Sequence, residues 1–150
     1  MRLYPDCKPK EPTITCKVIT DVAEEVITLD QAKESMTVDF DDWDELIERL
    51  IKGVRKSFER WTGLSIGVRE IEVFGDYESD LAYMPYEPIT VQNGALQTVG
   101  YTRADCPEDL TEAMLEVIHA CFENRNDPRK SNISDLSQIA SKAFRRRVGI

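Results

Sequence analysis

The segment from Asp39 to Gly63 constrains the fold more than any other, because its large apolar residues recur at the spacing of one helix face. Steps of three and four residues are the period of an amphipathic α-helix. We expect this helix to run from about Asp41 to Thr62, with Gly63 as a left-handed stop. Its apolar face holds Trp43, Ile47, Leu50, Val54, Phe58 and Trp61. A helix of this kind is a core element, and both tryptophans are expected to be substantially buried at its two ends.

The charge of this helix is graded from one end to the other. Acidic residues occupy its start, where backbone N–H groups lack partners, and basic residues occupy its carbonyl end. Both placements oppose the helix dipole favourably. The residues concerned are Asp41, Asp42, Asp44 and Glu45 at the start, and Arg55, Lys56 and Arg60 towards the end.

The whole chain is acidic, but its last part is basic. With 150 residues, one compact domain is expected. The net charge of −9 argues against a general nucleic-acid binder, which would present a basic surface. From Arg125 to Ile150, however, seven basic residues stand against two acidic ones. A positive tail on a negative body suits docking on an acidic partner or on a neighbouring copy of the same body.

The cellular context is indicated by what the sequence lacks. No stretch approaches ~18 consecutive apolar residues, so no membrane span is predicted. The start, MRLYPDCKPK, has no apolar core and is not expected to be a secretory signal. The cysteines show no C-x-x-C spacing, which favours four reduced thiols over a structural zinc site. They are Cys7, Cys16, Cys106 and Cys121.

Shorter elements surround the long helix. "TITCKVIT" is β-branched and strand-like, and "SIGVREIEVFG" is also predicted to be a strand. Thr28 and Gln31 fit a capping box before a short helix over about Leu29–Met36. Asn93-Gly94 between β-forming residues predicts a hairpin. Pro107 is placed just inside the start of another helix.

Two further helices are predicted, each with an apolar face. The helix after Pro107 is expected to bury Leu110, Met114, Val117, Ile118, Cys121 and Phe122. A final helix is expected to begin near Ser134 and to turn Leu136, Ile139, Ala140, Ala143 and Phe144 inward.

The predicted fold class is therefore α+β, mainly α with a small β element. We expect a bundle of about four helices with an inserted short β-hairpin and extended N- and C-terminal arms. Residues 1–12, rich in proline, form the N-terminal arm. Residues 13–130 form the helical domain, with the β insertion at about 66–103. Residues 131–150 form the C-terminal helix and the basic tail.

The sequence gives little support for a catalytic or cofactor-binding site. His119 shares a helix face with acidic residues, and Glu116-x-x-His119 is the spacing of di-metal carboxylate bundles. Those bundles need a second copy, which the sequence lacks, so a solvated acidic face is favoured over a metal site. No Gly-rich phosphate loop and no nucleophile signature is present. The sequence predicts no enzyme, no cofactor and no metal.

Two segments are candidates for binding. Arg145, Arg146 and Arg147 form either a solvated helix end, a contact with an acidic protein surface, or, less favoured, a contact with nucleic acid. Tyr83, Met84 and Tyr86 cluster beside prolines near the hairpin. An aromatic loop of this kind is typical of a subunit or partner interface, with packing on its own sheet as the alternative.

Two blocks of sequence resemble the phage head–tail connector (adaptor, or head completion) family. The first is "VITDVAEEVITLDQAKESMTVDFDDWDELIERLIKGVRKSFERWTG" and the second is "CPEDLTEAMLEVIHACFENRND". The family pattern of a short capped helix, an acidic gap, a long helix ending in "E-x-x-TG", and a later "Y-x-NR-e" helix end is followed in order. The matching residues are Val26, Thr28, Leu29, Ala32, Lys33, Val38, Asp39, Asp44, Leu46, Ile47, Leu50, Ile51, Glu59, Thr62, Gly63, Phe122, Asn124 and Arg125.

The resemblance implies a structural virion protein at the head–tail junction, assembled in the host cytoplasm. Members form a ring, usually of twelve subunits, below the portal protein. The ring extends the DNA channel and meets a tail-side neck or tail-terminator protein. Family C-terminal segments are associated with portal attachment, so the expected portal-binding residues are Lys142, Phe144, Arg145, Arg146 and Arg147. The rival hypothesis is a small acidic phage-encoded regulator or inhibitor that binds a host protein.

Overall fold

The computed structural model describes residues 15–74 and 86–144. The described helices are α1 (Leu29–Met36), α2 (Asp44–Thr62), α3 (Glu108–Glu123) and α4 (Ile133–Ala140), followed by a 3-10 helix (Lys142–Phe144). The described strands are β1 (Thr15–Thr20), β2 (Arg69–Phe74), β3 (Ile89–Asn93) and β4 (Leu96–Val99). The α+β class, mainly helical with a small β element, is confirmed. The N-terminal arm at residues 1–12 lies outside the described residues.

The β element is larger than the single hairpin expected from the sequence. One antiparallel sheet of four strands has the order β1-β2-β4-β3. The strand before the helices, β1, pairs with β2, and β4 lies on the other side of β2. The predicted hairpin joins β3 to β4, but Asn93 pairs with Leu96, so the two loop residues are Gly94 and Ala95. Gly94 has a φ of 60°, which suits a glycine in a tight turn.

The short helix α1 forms where its capping residues predict it. The Thr28 side chain accepts a hydrogen bond from the Gln31 backbone N–H at 3.0 Å. This satisfies one of the unpaired donors at the helix start. Ala32 and Met36 are buried on its inner face.

The long helix α2 begins at Asp44, three residues later than predicted. Asp41 and Asp42 precede it in a turn, in which the Asp44 N–H donates to the Asp41 carbonyl at 3.2 Å. Lys33 of α1 holds this turn, because its ammonium group lies 2.9 Å from Asp41 and 2.8 Å from Asp44. The predicted stop is confirmed, since Gly63 is left-handed with a φ of 75°.

The main core lies between α2 and the other three described helices. Full burial of a large apolar side chain contributes about 1.5–3 kcal/mol, so this face supplies much of the stability. Gly53 lets α4 approach closely, since a Cβ there would lie 3.1 Å from the Ile133 Cδ1. The most deeply buried large side chains of this core include Ile27, Ile47, Val54, Phe58, Ile66, Leu110, Met114 and Ile118.

One expectation about buried residues is met in part, and another is wrong. Trp43 and Trp61, expected to be substantially buried, are partly buried. Trp43 precedes the first turn of α2 and packs edge-to-face on Phe122, with ring centroids 6.2 Å apart. Ile139, expected to face inward, is 68% exposed. The buried face of α4 is centred on Ser137, and two helical residues turn the chain by about 200°.

The other residues of the last helices divide between core and surface. Leu136, Ala140 and Phe144 are partly buried against the main core, as predicted. Ala143, expected to face inward, is exposed. It lies in the 3-10 helix, whose tighter turn changes the direction of successive side chains.

Candidate interaction surfaces

An ion network fixes the sheet to the long helix. Arg69 of β2 forms a two-fold contact with the Glu59 carboxylate of α2, one arm of which joins Nη2 to Oε1 at 2.9 Å. Arg55, one turn before Glu59, donates from Nη1 to the same Oε1 at 2.8 Å. The Ile66 N–H donates to the other carboxylate oxygen at 3.0 Å. Because these three side chains are only 5–11% exposed, the network is sheltered from water.

Two more carboxylates complete this network from the segment between β1 and α1. Glu25 lies 2.7 Å from the Arg55 Nε, and Asp21 lies 2.9 Å from the Arg69 Nε. A hydrogen bond from the Val22 N–H, together with Arg69, lowers the pKa of the Asp21 carboxyl. Burial alone would lower the pKa of Arg69, but the hydrogen bonds and charges of Glu59 and Asp21 together outweigh it, so its pKa is raised. Asp21 and Arg69 therefore stay charged at neutral pH.

A cleft with a cationic rim opens beside this network, at the carboxyl end of α2. It encloses about 360 Å³ and is lined by Lys56, Glu59, Arg60, Gly63, Leu64, Arg69 and Tyr86. Lys56 and Arg60 are exposed and one turn apart. Within residues 15–74 and 86–144, neither has an ion-pair partner. We call this feature the basic cleft.

The opposite end of α2 presents an acidic turn with an aromatic residue in it. Phe40 is 52% exposed. Asp39 and Asp42 beside it are exposed, and no carboxylate of this pair meets a cation in the described part of the chain. Asp41, by contrast, is held by Lys33. We call residues 39–42 the acidic turn.

Arg125, from the "NR" motif, contacts other residues of its own subunit. Its guanidinium lies 4.5 Å from the Trp43 ring centroid and 4.6 Å from that of Phe122. Its Nη1 also donates to the Phe122 carbonyl at 2.8 Å. Arg125 is exposed, and stacking of this kind contributes about 0.5–1 kcal/mol at an exposed site. Arg125 therefore joins the end of α3 to the start of α2.

The residues expected to bind the portal are only partly within the described chain. Lys142 is exposed, and Phe144 is partly buried against the core of its own subunit. Arg145, Arg146 and Arg147 lie outside the described residues. Their portal-binding role stays a prediction.

The residues expected at a tail-side or subunit interface are also divided. Tyr83 and Met84 lie outside the described residues. Tyr86 is partly buried, packs against the small apolar cluster of the sheet, and has the Arg69 guanidinium 5.4 Å from its ring centroid. It also lines the basic cleft. Its interface role stays a prediction.

The side chains that could bind a metal or react chemically are dispersed over the described structure. His119 and Glu123 form one exposed pair, with Nε2 and Oε1 3.3 Å apart. Across the two described stretches, no group of three or more His, Cys, Asp or Glu side chains could hold a metal ion. Cys16, Cys106 and Cys121 are free thiols, and burial raises the pKa of each. Cys7 lies outside the described residues.

The ion network and the basic cleft were not predicted from the sequence. A signal for part of the network was present, since Arg55 and Glu59 are four residues apart on one helix. The partner Arg69 carried a weaker signal, as a charged residue at an inward position of β2. The exposed pair Lys56 and Arg60 has the same four-residue spacing with like charge, which an isolated helix would disfavour.

Comparisons with known proteins connect this arrangement to one family. The family model described as "Phage gp6-like head-tail connector protein" matches residues 26–145, well over half of the chain. The match runs from just before α1 through the 3-10 helix. No curated protein and no solved structure matches the chain. No helix in the described stretches is long and apolar enough to cross a membrane.

Proposed function

Because the chain belongs to the family of phage gp6-like head-tail connector proteins, we propose that it forms a ring beneath the portal protein and joins the capsid to the tail. The observation that carries this proposal is the length of the family match, which includes all four described helices and the sheet from β2 to β4. The ring is proposed to contain twelve subunits and to sit at the head–tail junction of the virion. Its tail-side face meets a neck or tail-terminator protein.

The charge of the protein supports a channel for DNA. The net charge of −9 repels the phosphate backbone, and a channel wall of that sign lets DNA slide without sticking. In this proposal DNA passes through the channel and is not bound as a ligand. In this proposal the protein is structural and performs no chemical step.

The C-terminal segment is proposed to attach the ring to the portal protein. Lys142 is exposed at the surface of the bundle, and three arginines begin three residues later, at Arg145. Arginine suits an acidic docking surface because its guanidinium pairs with carboxylates through two hydrogen bonds. Phe144 anchors the base of the segment through its contact with the main core. Tyr83, Met84 and Tyr86 are proposed to face the tail-side partner or the next subunit.

The test reverses the charge of the tail and compares it with a matched reversal elsewhere. The variant R145E/R146E/R147E is expected to lose co-sedimentation with the portal protein and to yield heads without tails. The control K17E/R49E/K52E changes the net charge by the same amount at three exposed positions outside the basic tail and is expected to bind like the parent. Both are checked for folding by circular dichroism. If the folded tail variant binds portal and yields infectious particles at the parental level, C-terminal docking is wrong.

A further inference from the structure

We propose that neighbouring subunits join head to tail through the two ends of α2, with Phe40 of one copy seated in the basic cleft of the next. Asp39 and Asp42 of the first copy then face Lys56 and Arg60 of the second. The occupant of the basic cleft is therefore a second copy of this chain. This inference rests on the proposed ring and names the surfaces that would hold it together.

The acidic turn has the properties of an inserted segment. Phe40 is 52% exposed and lies between carboxylates on both sides. Large side chains that fill a well-packed pocket on the partner, aromatic ones among them, act as energetic anchors of protein interfaces. Lys33 already neutralises Asp41, so the charges left for a partner are those of Asp39 and Asp42.

The basic cleft has the size and the chemistry to receive such a segment. A cavity of about 150 Å³ takes a benzene ring, so an open cleft of about 360 Å³ admits a phenylalanine side chain. Leu64 and Tyr86 supply apolar lining for the ring. Lys56 and Arg60 stand exposed at the rim and unpaired in the described residues, where they meet the two flanking carboxylates.

The positions of the two surfaces dictate a repeating contact. With 19 residues, α2 spans about 28 Å, and the acidic turn and the basic cleft lie at its opposite ends. A contact between two different patches of identical chains is heterologous, and it closes into a ring when the rotation between copies allows it. The charges also select this pairing, because like ends repel one another.

A charge-swap experiment tests the contact. D39K/D42K places cations on the turn, and K56E/R60E places carboxylates on the cleft. Each variant alone is expected to remain monomeric by sedimentation velocity under conditions where the parent assembles, with portal protein added if the parent requires it. An equal mixture is expected to assemble again, because both alternating contacts then pair opposite charges. Folding of each variant is checked by circular dichroism.

A truncation and a salt titration test the same contact without charge reversal. F40A is expected to weaken self-association about tenfold or more. The control L96A removes an apolar side chain that is equally exposed, at 52%, on the sheet, and is expected to assemble like the parent. Raising the ionic strength from about 0.05 to 0.5 M is expected to weaken assembly of the parent, since it screens the charge pairs.

The results of these experiments distinguish a failure of the proposed turn–cleft contact from a failure of the proposed ring. If the parent assembles and both charge variants assemble equally well alone, the ring stands and this interface is wrong. If the mixture fails to assemble although both variants are folded, the pairing of turn with cleft is also wrong. If the parent stays monomeric at every concentration and on the portal protein, the proposed ring is wrong, and the head-to-tail contact is overturned with it.

Discussion

Removal of the Glu59 carboxylate is expected to be among the most destabilising single changes in the chain. The carboxylate accepts hydrogen bonds from Arg55, from two nitrogens of Arg69 and from the Ile66 N–H. In E59A these donors lose the carboxylate, and only Arg69 Nη1 among them keeps another acceptor, the Ser65 Oγ at 2.8 Å. Arg55 keeps Glu25 and Arg69 keeps Asp21, but both guanidinium groups remain almost fully buried.

The expected loss follows from leaving buried charge without its partner. Breaking a buried ion pair by removing one member costs about 3–5 kcal/mol in the free energy of unfolding. Since Glu25 and Asp21 remain, we expect the lower half of that range, about 3–4 kcal/mol. E59Q keeps the shape and an acceptor for the Ile66 N–H, so it is expected to lose less, about 1.5–3 kcal/mol.

Urea unfolding followed by circular dichroism at the helix band measures this loss. The control is E48A, which removes an exposed glutamate from the same helix and is expected to change stability by at most about 0.5 kcal/mol. The double variant E59L/R69M is expected to recover part of the stability lost in E59A, because it removes one of the two buried charges that lose the Glu59 carboxylate. A folded E59A within about 1 kcal/mol of the parent would show that water reaches this network and that the argument from burial fails.

Further predictions concern Trp43 and the cysteines. W43A is expected to lower the free energy of unfolding by about 2–3 kcal/mol. This is less than the roughly 3–5 kcal/mol expected for a fully buried ring, because Trp43 is only partly covered by Phe122 and Arg125. A loss under about 1 kcal/mol in urea unfolding would mean that Trp43 is a surface residue. Burial raises the pKa of Cys106 and Cys121 above the ordinary 9.0, so both are expected to react slowly with iodoacetamide in the native protein. The stability that these buried neutral thiols contribute is present below about pH 9 and declines above it, which urea midpoints across that range would test. The denatured, non-reduced chain should titrate four thiols, and two or none would contradict the expected reduced state.

The elements predictable from the sequence are those specified by neighbours along the chain. The Thr28 cap, the apolar face of α2 and the left-handed Gly63 each depend on residues within one or two turns. Local physical chemistry is enough for such features, because helix caps and 3.6-residue periodicity are properties of short segments.

The features that the sequence did not predict depend on residues far apart in the chain. Arg55 and Glu25 are 30 residues apart, and the paired residues of β1 and β2 are 50 to 59 residues apart. Nothing local selects such partners, since their pairing is decided by how the helices bring the segments together. Ile139 illustrates the same limit, because the periodicity of α4 admitted it but the packing centred on Ser137 left it outside.

The observed start of α2 separates its graded charges into two groups with different explanations. Acidic residues in the first turn, Asp44 and Glu45, are accounted for by the helix dipole, which contributes about 0.3–1 kcal/mol per charge and falls off within one turn. Asp39 and Asp42 precede the helix, and Lys56 lies too far from its end for the same explanation. The helix dipole therefore does not explain why these charged residues are present. It also does not explain the exposed Phe40 between the acidic residues. The proposed contact with the next copy would account for all of them. It would give a cation to each of Asp39 and Asp42, which meet none among the described residues, and it would cover the exposed ring.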